Sequence, residues 1–350
     1  MAGLKELRAR IASVRSTQKI TSAMKLVAGA KLRRAQEQAQ AARPYAERME
    51  NLLAELAAST PSQPPLMSGS GKQNKHLLVV GTADRGLCGG FNANIVREAR
   101  RDANKLIEEG REVAFYCLGR KGRDQLRMQH GDRIIAVVEN LTRPQPSFSR
   151  AREIAADITR RFEAGEFDVC TMYFSKFLSA LSQEPQALRL IPAANGQSPN
   201  DGDNETTADG GRHRQSPSNA NIAGDNNGAT ADGGRQSPGH GDSQNAEKIG
   251  QGQGVAGTKG ASAVSRGAPE FEPGQDEILA ELLPHNLAVQ IWRGILENNA
   301  SEQGARMTAM DNATRNAGEM ITRLTLVYNR SRQAAVTTEL IEIVSAKEAM

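Results

Sequence analysis

Both ends of this chain read as helices too long for a compact domain to contain. Residues 3–58 hold a single proline, Pro44, and are mostly Ala, Leu, Lys, Arg, Gln and Glu, all strong helix formers. Leu4, Leu7, Ile11 and Val14 recur at 3,4,3 spacing, which sets them in one seam along a helix. That seam turns polar at Thr17, Gln18 and Thr21 and resumes weakly at Met24, Val27 and Ala28. From Asp276 to the end the pattern is helical again, and Pro284 is the last proline. There Met310, Thr314, Ala317, Ile321, Leu324, Tyr328, Ser331 and Ala335 keep a 4,3 rhythm, with small and polar residues sharing the seam. At 1.5 Å per residue the two elements extend about 80 and 100 Å. Such a pair predicts a long antiparallel coiled coil, residues 1–59 against 275–350, projecting from whatever lies between.

Between them the pattern changes. Breakers crowd TPSQPPLMSGSGK at 60–72, and from 73 to 192 short apolar runs alternate with helix-like stretches. The runs are LLVV from 77, VAFYCL from 113, IIAVV from 134, FDVCTMYF from 167 and LRLI from 188, with helical stretches at 92–109 and 148–164. Continuous apolar strands separated by helices predict an open, mostly parallel, Rossmann-like α/β sheet. Residues 193–270 are rich in Gly, Asn, Asp and Ser, and TADGGRHRQSP at 207–217 returns as TADGGRQSP at 230–238. Such a segment has too little apolar surface to offset chain entropy, so it is expected to be a disordered insert, tolerated rather than required.

Charge is unevenly spread. The chain carries a net +4, but residues 1–50 hold eleven basic and four acidic side chains, a local +7. A basic arm of that kind expects an acidic partner. Cys88, Cys117 and Cys170 lie far apart without a CxxC spacing and read as small buried apolar residues. No apolar run approaches the 18 or so residues that a membrane span requires. The histidines are scattered, none with a His or Cys partner at metal spacing, and no GxSxG occurs. Neither a catalytic constellation nor a metal or cofactor site is expected.

One stretch imitates a nucleotide site. GTADRGLCGG at 81–90 follows an apolar run and precedes a helical one, as a phosphate-cradling loop would. It matches neither GxGxxG nor GxxxxGK[ST], and Asp84 would set a carboxylate beside a phosphate. Gly119 and Arg120 stand where a ribose-binding acid would be expected. The glycines then serve a tight turn and close packing of strand on helix.

Four stretches carry a resemblance. MAGLKELRARIASVRSTQKITSAMKLVAGAKLRRAQ at the start, DRGLCGGFNANI at 84–95, ENNASEQGARMTAMDNATRNAGEMI at 297–321 and LVYNRSRQAAVTTELIEIVSA at 326–346 resemble the gamma-subunit family of F-type ATP synthases. The likeness covers all but the insert. It implies a rotor shaft: terminal helices inside a ring of alternating alpha and beta subunits, and an α/β domain that holds the epsilon subunit and the ring of c subunits. ATP would be made in the beta subunits, not here, and nucleic acid would have no part. Carried over by position, Met24 and Lys25 face an acidic helix-turn-helix of a beta subunit. Arg332, Gln333 and Thr337 meet its catch loop. The resemblance also implies a peripheral protein on the cytoplasmic face of a bacterial inner membrane, since the family's first helix begins at Met1 with nothing ahead of it to cleave.

The chain departs from the family in two places. Ala346 and Lys347 stand where a Gly-Ala pair is usual, and the insert replaces a short link before a strand that EFEP at 270–273 resembles. The insert has no cysteine, so the redox switch of chloroplast members is not carried over. Two rival readings make different predictions. A generic coiled-coil scaffold would contact no ATPase subunit selectively, and a Rossmann-type enzyme would bind ATP or NAD.

Overall fold

The computed structural model describes residues 3–59, 64–193 and 275–348. The 193–270 insert, beyond Ala193, and the EFEP strand fall outside the described residues. Helix α1 runs Leu4–Ser59 and helix α6 runs Gln275–Glu348, 56 and 74 residues long. They are antiparallel, since cross-helix contacts pair Tyr45 with His285, Lys25 with Asp311, and Arg8 with Tyr328. Pro44 and Pro284 both sit inside helices.

The α1 seam holds a strict 4,3 rhythm for its whole length. Leu7, Thr21, Ala28, Leu32, Ala35, Ala39, Ala46, Met49 and Leu53 are buried, with Ile11, Val14, Gln18, Lys25 and Ala42 half-buried between them. Three residues placed in the seam from sequence lie outside it: Thr17 is exposed, Val27 is 57% exposed, and Met24 is half-buried beside Lys25, which takes the seam position. The seam runs instead through Gln18, Thr21, Lys25 and Ala28. Close approach of two helices selects small residues over greasy ones, and an apolar side chain off the stripe is left in solvent. On α6 every seam residue from Met310 to Ala335 is buried or half-buried, as its rhythm predicts.

The sheet has five strands in the order β3-β2-β1-β4-β5. They are β1 (Lys75–Gly81), β2 (Glu112–Leu118), β3 (Ile134–Val138), β4 (Val169–Phe177) and β5 (Gln183–Ile191). The first four are parallel, and β5 returns antiparallel to β4. Every apolar run read as a strand falls in one, except that Phe167 and Asp168 of the fourth run precede β4. Helices α3 (Phe91–Glu108) and α4 (Arg120–His130) cover one face, joining a core around Leu78, Val80, Ile95 and Phe115. Helix α5 (Phe148–Glu163) covers the other face with α6. A one-turn helix, α2 (Pro65–Ser68), leads into β1.

Helix α6 therefore belongs to two structures at once. Leu287, Ala288, Ile291 and Ile295 are buried in the same core as Leu77, Met172 and Phe174 of the sheet. Gly294 is where the crossing is tightest: a Cβ there would stand 2.5 Å from Met172 Cε. At Gly119 (φ +101°) a Cβ would fall 2.2 Å from the Thr82 carbonyl oxygen, so this turn between β2 and α4 admits no side chain.

The cysteines are free and buried, as their spacing suggested. Burial pushes the Cys117 thiol up to about 12, and raises those of Cys88 and Cys170. Thiolate is the reactive form, so the native chain is expected to leave all three unmodified by a thiol-reactive disulfide at pH 8. Full labelling should appear only at the denaturant concentration that unfolds the chain, and labelling below it would contradict this packing.

Candidate functional site: the helical shaft and its anchor

In a sheet of this order, ligands bind in the crevice beyond the carboxyl ends of the strands. Here α6 occupies that crevice. Asn298 Oδ1 accepts a hydrogen bond from Ser175 N (3.2 Å), and Ser301 Oγ donates to the Ser175 carbonyl (2.9 Å). Thr308 donates to the Ala180 carbonyl (3.0 Å), and Arg306 reaches the Gly86 carbonyl (3.3 Å). The glycine-rich turn engages its own polar groups internally. Asp84 accepts from Arg120 N (3.1 Å) and Asn140 N (2.9 Å), and Asn92 accepts from Ala83 N (2.8 Å). Gly89 (φ +56°) lets the turn lie against Ala309 of α6. What stays open is a cleft of about 250 Å3 between Gly89, Asn94, Gln183 and Asn312, with no charged side chain in its lining. A phosphate would find no cation there.

The polar run at 297–306 is therefore an anchor. Glu297 is 2% exposed; it takes a salt bridge from Arg43 of α1 (2.7 Å) and a hydrogen bond from Phe177 N (3.0 Å). One carboxylate thus ties both shaft helices to the end of β4, and its hydrogen bond raises the Arg43 pKa. Glu302 is also buried and pairs with Arg306 at 2.6 Å. Burial nonetheless raises its carboxyl pKa.

Above the anchor the two helices meet through polar rungs. The Thr21 and Thr314 hydroxyls lie 2.8 Å apart, and Lys25 Nζ donates to Asp311 Oδ1 at 2.7 Å. Hydrogen bonding from Lys25 holds the Asp311 carboxyl below its usual range. Near the end of α1, Arg8 donates to Tyr328 Oη (2.7 Å) and lies 5.6 Å from its ring centre. Past this rung α1 has one further turn, to Leu4, while α6 runs on to Glu348. Arg332, Gln333 and Thr337 are all exposed along this end of α6, and Thr337 donates to the Gln333 carbonyl one turn back (2.9 Å).

The residues singled out from sequence fall at two heights. Met24 is half-buried beside Lys25, and Lys25 already has an internal partner in Asp311. Arg332 lies 21 residues past Asp311, about 30 Å along the helix. The reading from residues gave no role to Glu297, Asn298, Ser301, Glu302 or Arg306. Nor did it single out the stripe at the tip, where Val336, Leu340, Ile343 and Val344 are each about half exposed or more. Their 4,3,1 spacing, continuing past the end of the partner helix, is the signal that would have found them.

Residues 3–350 match the ATP synthase family. The ATP synthase gamma chains of Rhizorhabdus wittichii and Azorhizobium caulinodans are each 46% identical over the whole of both chains. The chain belongs to the ATP synthase family. Its similarity to the gamma chains is full-length, so the shaft and the sheet are family features alike. Among solved structures, the rotor of the Euglena gracilis mitochondrial ATP synthase aligns over 95% of this chain and 98% of its own (TM-score 0.56, 15% identity). A central-stalk chain of the Tetrahymena thermophila mitochondrial enzyme aligns over 84% and 99% (TM-score 0.52, 20% identity). At those identities the likeness is one of fold.

The Glu297 anchor can be tested on the isolated chain. Replacing it with Ala strands a part-buried guanidinium and leaves the Phe177 N–H unpaired, at a cost of about 3 kcal/mol. Chemical denaturation should show that loss, with Glu297→Gln losing about half as much. An unchanged midpoint in Glu297→Ala would remove the anchor.

Proposed function

We propose that this chain is the turning shaft of a membrane-bound ATP synthase. The paired α1 and α6 stand inside a ring of alternating alpha and beta subunits, and the α/β domain holds the epsilon subunit and the ring of c subunits. Ion flow turns the c ring, and the lopsided shaft carries that rotation to catalytic sites in the beta subunits. The chain supplies mechanics and no catalytic group, metal or cofactor. Among the described residues no helix is long and apolar enough to cross a membrane. The proposal places the chain peripherally, on the cytoplasmic face of a bacterial inner membrane, held through the complex.

One observation carries the reading. The last turns of α6 leave α1 behind yet keep Val336, Leu340, Ile341, Ile343 and Val344 in the open. A contiguous apolar surface of this kind fits enclosure by other chains. Within that sleeve Arg332 has no ion pair among the described residues, and its planar fork suits a carboxylate of a beta subunit. Gln333 and Thr337 lie on the same stretch. Lower down, Met24 and Lys25 face a second beta-subunit segment. Because Lys25 is shared with Asp311, an acidic partner there competes for a cation already engaged, and the contact can be made and released as the shaft turns.

The assembled complex provides the test. Losing a charge-assisted contact at the sleeve should lower ATP synthesis and hydrolysis together, roughly tenfold in Arg332→Ala and less in Gln333→Ala. The complex should still assemble, with alpha, beta and epsilon subunits co-purifying. Full activity in both variants would take these residues out of the mechanism.

A further inference from the structure

A second site lies on the far side of the sheet from α5. Where the last turns of α3 stand off from β1, β4 and β5, they leave a cleft of about 590 Å3. That is within the usual range for small-molecule sites. Its floor is set by strand register: Leu78 pairs with Thr171, and Thr171 with Arg189, so three strands present one row of side chains. Tyr173 and Leu106 extend the apolar part of the wall.

Its charges are unbalanced. Asp102 is engaged by the Tyr173 hydroxyl (3.0 Å) and by Arg101 (3.3 Å), and Glu109 is paired with Arg111 (3.1 Å). The buried His76 has Nε2 3.0 Å from the Gln73 carbonyl and 3.4 Å from Arg111 Nη1. Burial, with Arg111 and Arg189 nearby, keeps its pKa below the usual value, so it is neutral at pH 7. Two cations remain. Lys105 on the helix wall and Arg189 on the sheet wall line the cleft from opposite sides, and neither makes a hydrogen bond or ion pair among the described residues. Arg189 is half-buried.

We propose that this cleft binds a small phosphate ester, with its phosphate between Arg189 and Lys105 and its organic part against Leu78, Leu106 and Tyr173. The fork of arginine and the point charge of lysine suit phosphate oxygens in complementary ways. The site is separate from the glycine-rich turn, and it does not depend on the rotor role.

Calorimetry on the full-length chain at low salt tests this, with AMP as the probe. Wild type should bind AMP saturably, and both Lys105→Ala and Arg189→Ala should weaken binding tenfold or more. Arg189→Lys should fall between, and Arg150→Ala on α5 should match wild type. Lys105 is exposed on a helix, so that variant keeps the test valid if Arg189→Ala fails to fold. Absence of saturable AMP binding, or equal binding in both alanine variants, would overturn the proposal. So would equal weakening by Arg150→Ala. If the chain instead co-sediments with phosphatidylglycerol vesicles in an Arg189-dependent way while AMP fails to bind, the phosphate is that of a lipid headgroup and the small-molecule site is rejected.

Discussion

The structure depends on one helix doing two jobs without a break. Over its first half α6 is a core element, with Leu287, Ile291 and Ile295 packed against the sheet. From His285 to Tyr328 it also pairs with α1, and its last turns extend past the end of α1. No loop divides these regimes, so a twist applied to the sheet reaches the tip through a continuous hydrogen-bonded backbone. A hinge at the junction would absorb that twist. Glu297 sits at the junction and opposes one, because its carboxylate holds α1, α6 and β4 together.

The same arrangement fills the switch point of the Rossmann-like sheet. The crevice that usually takes a ligand takes α6 instead, and the glycines that usually approach a pyrophosphate approach Ala309. Asp84, which would repel a phosphate, has backbone donors at Arg120 and Asn140. Higher up, the seam uses Thr21, Thr314, Lys25 and Asp311 where an ordinary coiled coil would use leucine. Polar rungs fix register at some expense of stability. The tip reverses that pattern, exposing apolar side chains that only an enclosing partner would bury.

Much of this was legible in the sequence, for identifiable reasons. Periodicity exposed both long helices, and on α6 it located every seam residue from Met310 to Ala335. It slipped on α1 at Thr17, Met24 and Val27, because reading hydrophobicity favours Met24 and Val27 over the small and polar residues that the seam uses. The strands were visible as unbroken apolar runs because both faces of the sheet are covered. The direction of β5 was not in its composition; it follows from the five residues between β4 and β5, too few for a parallel crossover. The anchor at 297–306 was hidden, because buried glutamates and asparagines look like a solvated helix face until their partners are known. Met24, Lys25, Arg332, Gln333 and Thr337 stood out through resemblance alone, since an exposed helix residue carries no signature of what will meet it.

The central claim is that the chain's two ends close into a single shaft in fixed register. Pulsed electron resonance between spin labels at Ser22 and Asn316, both exposed and on adjoining levels of α1 and α6, measures it directly. Two helix axes about 8–10 Å apart should give one short, narrow distance. A broad distribution, or a distance of several tens of ångströms, would mean that the ends do not pair and that there is no shaft to turn.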